Sequence, residues 1–173
     1  VLDPFCGTGS VMVEAALIGC RVLGFDVQQR MAKGCQKNLK HFSVEPEGLV
    51  IADARKLPLT RINCLVTDPP YGRSATTMKS TTKQIVEGVL GSARSLLREG
   101  QRICIALPIR VNQLGEVKHL SKQIAKFVDG LGFKKIESHT AYVHRTLTRE
   151  ILVYEKVGNS QLRAHKNSKE HIL

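Results

Sequence analysis

The chain has 173 residues, enough for one domain with a single apolar core. Its 26 Lys+Arg against 15 Asp+Glu give a net charge of +11, and no apolar run is long enough to cross a bilayer as a helix. No signal-peptide pattern stands out, and the five cysteines (Cys6, Cys20, Cys35, Cys64, Cys104) form no C-x-x-C pair, so a reducing, cytoplasmic setting without zinc or any other metal is expected.

In chain order, Val1 and Leu2 end a buried strand that closes on Asp3-Pro4-Phe5. Ser10 is placed to cap a helix running to about Ile18, stopped by Gly19. Arg21 to Phe25 reads as a second strand closing on Asp26, and Gln28 to about Phe42 as a helix. Leu49 to Ile51 is a third strand closing on Asp53, and Asn63 to Thr67 a fourth closing on Asp68. A polar loop follows from Gly72 to Thr82. Ile85, Val89, Ala93 and Leu96 repeat at helical spacing, which predicts a helix from Gln84 to Arg98, with Gly100 beyond it. Ile103 to Leu107 is a fifth strand, and Leu120, Ile124, Phe127, Val128 and Leu131 mark another helix. Lys135 to Val143 and Glu150 to Tyr154 read as a closing antiparallel pair. Residues 158–173 are a polar, basic tail or a short docking helix.

Strands alternating with helices predict an α/β fold with a mostly parallel sheet, an antiparallel closing strand and helices on both faces. In such sheets ligands lie beyond the carboxyl ends of the strands, where Asp3, Asp26, Asp53 and Asp68 stand. The charge is uneven. Val1 to Gly72 carries 8 basic and 7 acidic residues, whereas Arg73 to Leu173 carries 18 basic and 8 acidic. The second part therefore draws polyanions, and nucleic acid is the expected partner.

The turn Asp3-Pro4-Phe5-Cys6-Gly7-Thr8-Gly9-Ser10 lets the backbone approach a ligand closely at Gly7 and Gly9. A dinucleotide site also has a glycine turn with an acid about 20 residues on, and Asp26 fits both readings. Two features separate them: Met12 stands where the third glycine would be, and the Asp3 carboxylate would repel a pyrophosphate but welcome a cationic amino acid. No G-K-[ST] follows, so this is not a P-loop.

D-P-F-C-G-T-G-S resembles motif I of the S-adenosyl-L-methionine-dependent methyltransferases with a Rossmann-like sheet. The resemblance implies that Asp3 faces the methionine end of the cofactor, with Phe5, Gly7, Thr8 and Gly9 packed around it. It implies that Asp26, with Val27 beside it, accepts the ribose hydroxyls, and that Asp53 and Ala54 meet the adenine. A helix cap before Ala54 is the other reading of Asp53.

Asp68-Pro69-Pro70-Tyr71 carries the chemistry. An exocyclic amine on a base is a poor nucleophile because its lone pair is delocalised into the ring. Two acceptors aimed at its N–H bonds draw the nitrogen toward pyramidal geometry; the Asp68 carboxylate is one and the Pro69 carbonyl the natural second. The two prolines restrict the backbone, and Tyr71 offers a face on which an extruded base can stack. Asp68 is also expected to border the cofactor. A covalent mechanism through a cysteine is rejected, since Cys64 lies inside the strand and Cys6 reads as packing.

The extended stretch D-P-P-Y-G-R-S-A-T-T resembles the archaeal tRNA guanosine-N2 methyltransferases that modify position 10. The resemblance covers Val1 to about Val157 and implies an RNA-binding THUMP domain, absent here, so residues 1–157 are expected to be an N-terminally shortened methyltransferase domain. It puts Arg73 and Lys79 on phosphate and Ser74 or Thr76 on base or cofactor. Arg145 and Arg149, read as a final hairpin turn, are further phosphate candidates on charge alone, and His144 is read as a surface residue. An adenine-N6 or other amino methyltransferase on DNA or RNA is the second reading. A nucleic-acid-binding module with an inactive pocket is the third. A glutamine-amide methyltransferase ranks lower, since Asn usually stands at the position of Asp68.

Overall fold

The computed structural model describes residues 1–70, 80–111, 116–144 and 147–158. Its elements run β1 (Leu2–Asp3), α1 (Ser10–Leu17), β2 (Leu23–Asp26), α2 (Gln29–His41), β3 (Gly48–Ile51), β4 (Cys64–Thr67), α3 (Thr82–Arg94), β5 (Arg102–Val111), β6 (Val117–His119), α4 (Leu120–Gly130), β7 (Phe133–His144) and β8 (Leu147–Lys156). The strands form one sheet in the order β3-β2-β1-β4-β5-β8-β7, with β6 paired to β5. β3, β2, β1, β4 and β5 run parallel to one another. β8 inserts antiparallel between β5 and β7. The expected α/β architecture and its antiparallel closing pair are both present.

Alternation along the strands builds the layers. Ile103, Ile105 and Leu107 of β5, Leu65 of β4 and Leu152 and Tyr154 of β8 are buried in one cluster with α3 and α4. Cys6, Met12, Val13, Val22, Cys35 and Leu39 form a second cluster with α1 and α2. Helices therefore cover both faces. No described helix is long and apolar enough to cross a membrane.

The missing third glycine has a counterpart elsewhere. A Cβ built on Gly24 of β2 would collide with the thioether of Met12 and lie 3.2 Å from Cys6 Cβ. The close approach of α1 to the sheet is thus made by a glycine on the strand rather than on the helix.

Several expectations shift. Ser10 is the first residue of α1 and not its cap; Gly9 caps the helix in a left-handed conformation (φ +93), without a side-chain bond. α3 starts earlier than predicted, because Thr81 and Gln84 form a capping box: Thr81 Oγ1 accepts from Gln84 N (3.2 Å) and Gln84 Oε1 from Thr81 N (2.8 Å). It ends at Arg94, and Leu96 and Leu97 stay buried in the following turn. β6 was not foreseen. Neither was the buried Glu150, which accepts from Ser121 Oγ (2.6 Å) and Ser138 Oγ (3.1 Å) and pairs with His119 Nδ1 (3.1 Å). Burial pushes the Glu150 carboxyl up, but these bonds outweigh it and leave it below the ordinary range.

Candidate active site

The turn after β1 is held by its own backbone and by two acids. Cys6 N donates to Phe25 O (2.8 Å) and Gly9 N to Cys6 O (2.7 Å), which folds the turn over the end of β2. Gly7 N donates to Asp26 Oδ2 (3.0 Å), and Gln28 N to Asp26 Oδ1 (2.8 Å). Asn38 Nδ2 of α2 donates to Thr8 O (2.8 Å). Gly9 is required twice over: its φ is positive, and a Cβ there would stand 2.7 Å from Cys35 Sγ. At Gly7 (φ +53) a Cβ would meet nothing nearer than Phe5 O at 3.9 Å, so the space above the turn is open.

Asp3 is buried beneath this turn, its Oδ1 accepting from Thr67 Oγ1 (2.6 Å) and Phe5 N (3.2 Å). Burial pushes its carboxyl up to about 6, the bonds from Thr67 and Phe5 oppose that, and the nearby charges of Asp68 and Asp26 add to it. The three acids share one electrostatic field because β2, β1 and β4 are adjacent in the sheet. Thr67 was not among the expected site residues. Its only signal was a hydroxyl closing an apolar strand immediately before Asp68.

The fourth acid behaves differently. Asp53 lies beyond the end of β3 and is engaged by Arg55, whose Nη2 stands 2.6 Å from Asp53 Oδ2 and whose backbone N–H donates to Oδ1 (2.9 Å). This guanidinium holds the Asp53 carboxyl below the ordinary range. Arg55 Nη1 also donates to Ser80 Oγ (3.0 Å), tying the segment to the start of α3. Ala54 is buried, Val27 is exposed, and Phe5 packs partly buried against the larger core.

Asp68 follows β4 directly, with Pro69 buried and Pro70 half-buried after it. Its Oδ2 is 2.7 Å from Arg149 Nη2. Arg149 is therefore misread as a turn residue: it lies within β8, and its guanidinium reaches the candidate catalytic carboxylate. His144 is exposed, as expected. The neighbouring Cys35 thiol and then burial push the Cys6 thiol far up, which suits packing and not nucleophilic attack. Tyr71, Arg73, Ser74, Thr76, Lys79 and Arg145 lie outside the described residues.

Comparison with known proteins identifies the family and the fold. The family model of the UPF0020, RMKL-like methyltransferase domain matches residues 1–129. A tRNA (guanine(10)-N2)-dimethyltransferase from Methanothermobacter thermautotrophicus is 38% identical over 158 residues, which cover 91% of this chain. The chain spans 44% of that relative's length. Among solved structures, TrmN from Thermus thermophilus superposes with a TM-score of 0.71 at 21% identity, covering 90% of this chain and 43% of that one. The magnesium protoporphyrin IX methyltransferase ChlM from Synechocystis, solved with bound SAM, does so at 0.67 and 16% identity, covering 90% of this chain and 68% of that one. At such identities the two structures show the shared fold.

Proposed function

The chain belongs to the RMKL-like methyltransferase domain family, and from that premise we propose that it methylates the exocyclic N2 of a guanosine in tRNA, at position 10. The observation that carries this reading is the placement of Asp68 beside Asp3 and Asp26 at the carboxyl ends of three adjacent parallel strands, next to the open glycine turn. The 38% identical relative supports the choice of base and of tRNA.

S-adenosyl-L-methionine would supply a methyl group on a sulfonium. The residues fit it: Gly7 leaves room for close approach, and Asp3 and Asp26 offer negative charge to a cationic amino acid and acceptors to a ribose. Asp68 accepts an N–H bond of the guanine amine and pulls its lone pair out of conjugation. It takes the surplus proton once the N–C bond has formed and the S–C bond has broken. Pro69 and Pro70 stiffen the backbone beside it, and Tyr71 stacks on the base. Arg73, Ser74, Thr76, Lys79 and Arg145 serve RNA contact. Orientation of methyl and nitrogen supplies much of the acceleration. Capture of whole tRNA is assigned to the THUMP domain that the resemblance implies, and the cytoplasm is the proposed setting, the five cysteines being free.

The test is transfer of labelled methyl from S-adenosylmethionine to unmodified tRNA, followed by nucleoside analysis, with the chain alone and joined to a THUMP domain. Label in N2-methyl- or N2,N2-dimethylguanosine is the expected result. Label in N6-methyladenosine keeps the chemistry and overturns the base. Asp68→Ala is expected to lower kcat by at least about 100-fold while cofactor affinity changes little; unchanged turnover would remove Asp68 from the mechanism.

A further inference from the structure

One partner of Asp68 among the described residues is a guanidinium, on a carboxylate that is proposed to receive an amine. The sheet register sets Arg149 opposite Pro108 of β5, and Thr67 opposite Ile105 of the same strand. The Arg149 side chain therefore crosses β5 to bring Nη2 within 2.7 Å of Asp68 Oδ2. The donor is a guanidinium, and the N1–C2–N2 edge of guanine is itself a guanidine bearing N–H bonds. Arg149 thus makes to Asp68 the kind of contact that the target edge would make.

Both cannot hold the carboxylate in the same way during transfer. The methyl donor is a cation, and the target nitrogen gains positive charge as the new bond forms. A third cation on Asp68 would spend the negative charge that the reaction uses. The pair is also easy to part. The two side chains are 32% and 34% exposed, so water reaches both when they separate. Arg149 belongs to the Arg73–Leu173 segment, whose 18 basic and 8 acidic residues attract a polyanion.

Resting on the methyl-transfer reading, we infer that Arg149 is a latch exchanged by substrate. In the protein without RNA it occupies Asp68 as a stand-in for the guanine edge. When the base enters, Arg149 gives up the carboxylate and takes an RNA phosphate. Asp68 is thereby released for its amine only when a polyanion arrives with it, which favours guanosine in RNA over the free nucleoside.

The experiment compares the chain with its Arg149→Ala and Arg149→Lys variants on two substrates, tRNA and the nucleoside guanosine. Arg149→Ala is expected to weaken tRNA binding and reduce its salt slope by about one, since one phosphate contact is lost. On guanosine the same variant is expected to gain about 2- to 5-fold in kcat/KM, because the competing ion pair is gone. Arg149→Lys, which keeps the charge, is expected to retain most of the salt slope. Parallel losses on both substrates would make Arg149 a positioning residue and overturn the latch; so would an unaltered salt slope. A readout independent of turnover is the Nε–Hε resonance of Arg149, identified by its loss in Arg149→Lys. It is expected to move in Asp68→Asn and on adding tRNA. If the unaltered chain methylates no tRNA either alone or joined to a THUMP domain, the proposed function fails, and this resonance decides the latch: a signal unmoved by tRNA overturns it.

Discussion

Asp3 in the folded chain keeps its proton to about pH 6, well above the ordinary carboxylate range, because it is buried beneath the glycine turn. Between pH 4 and 6 the folded chain therefore binds a proton that the unfolded chain has lost, and stability falls as pH rises through that window. A cation bound beside the carboxylate favours its ionised form and expels the proton. Affinity for S-adenosylmethionine is accordingly expected to be about 10-fold weaker at pH 5 than at pH 7, with proton release near pH 6. Calorimetry in buffers of different ionisation heat reads both, and a flat profile would remove Asp3 from the binding electrostatics. Asp3, Asp26 and Asp68 were legible in the sequence because each closes a short apolar run, which puts it at the carboxyl end of its strand. The contact between Asp68 and Arg149 was not legible. It depends on β8 inserting beside β5, and no local pattern records which strand a late hairpin joins. Asp53 was half legible: its position beyond a strand was clear, but Arg55, two residues on, claims its carboxylate.

At the scale of elements, the packing of α1 on β2 rests on Met12 lying over Gly24. Gly24→Ala is expected to destabilise the chain by about 1–3 kcal/mol through overpacking. Combining it with Met12→Ala should recover part of that loss, since the two side chains compete for one space. Denaturant unfolding of the single and double variants checks this, and strict additivity would show that the contact is not the cause. Periodicity placed α3 and α4 because their buried faces repeat every three or four residues. It overran the end of α3, since Leu96 and Leu97 remain buried in a turn where Leu96 N and Leu97 N both donate to Ala93 O. The start was readable from Thr81 and Gln84, a capping box that outweighs the polar run before it. β6 carries only Val117, Lys118 and His119, two of them exposed, so it has no alternation to detect; it forms because β5 extends to meet it.

Across the whole molecule the sheet is lopsided. β1 has two residues and β2, β3 and β4 four each, whereas β5 and β8 have ten and β7 twelve. Every turn of the proposed cofactor site hangs from the short strands. Amides of β1, β2 and β3 are therefore expected to exchange with solvent faster than those of β5, β8 and β7, and to gain protection when S-adenosylmethionine is added. Exchange followed by mass spectrometry tests this; uniform protection without ligand would contradict it. The methyl donor, in completing the weakly laddered half, adds its binding free energy to the fold, about 2.7 kcal/mol at a hundredfold excess over Kd. Degradation of the opened form follows its population, so the lifetime of the protein in a cell would track the supply of methyl donor: starvation for methionine would thin out the catalyst along with its reagent.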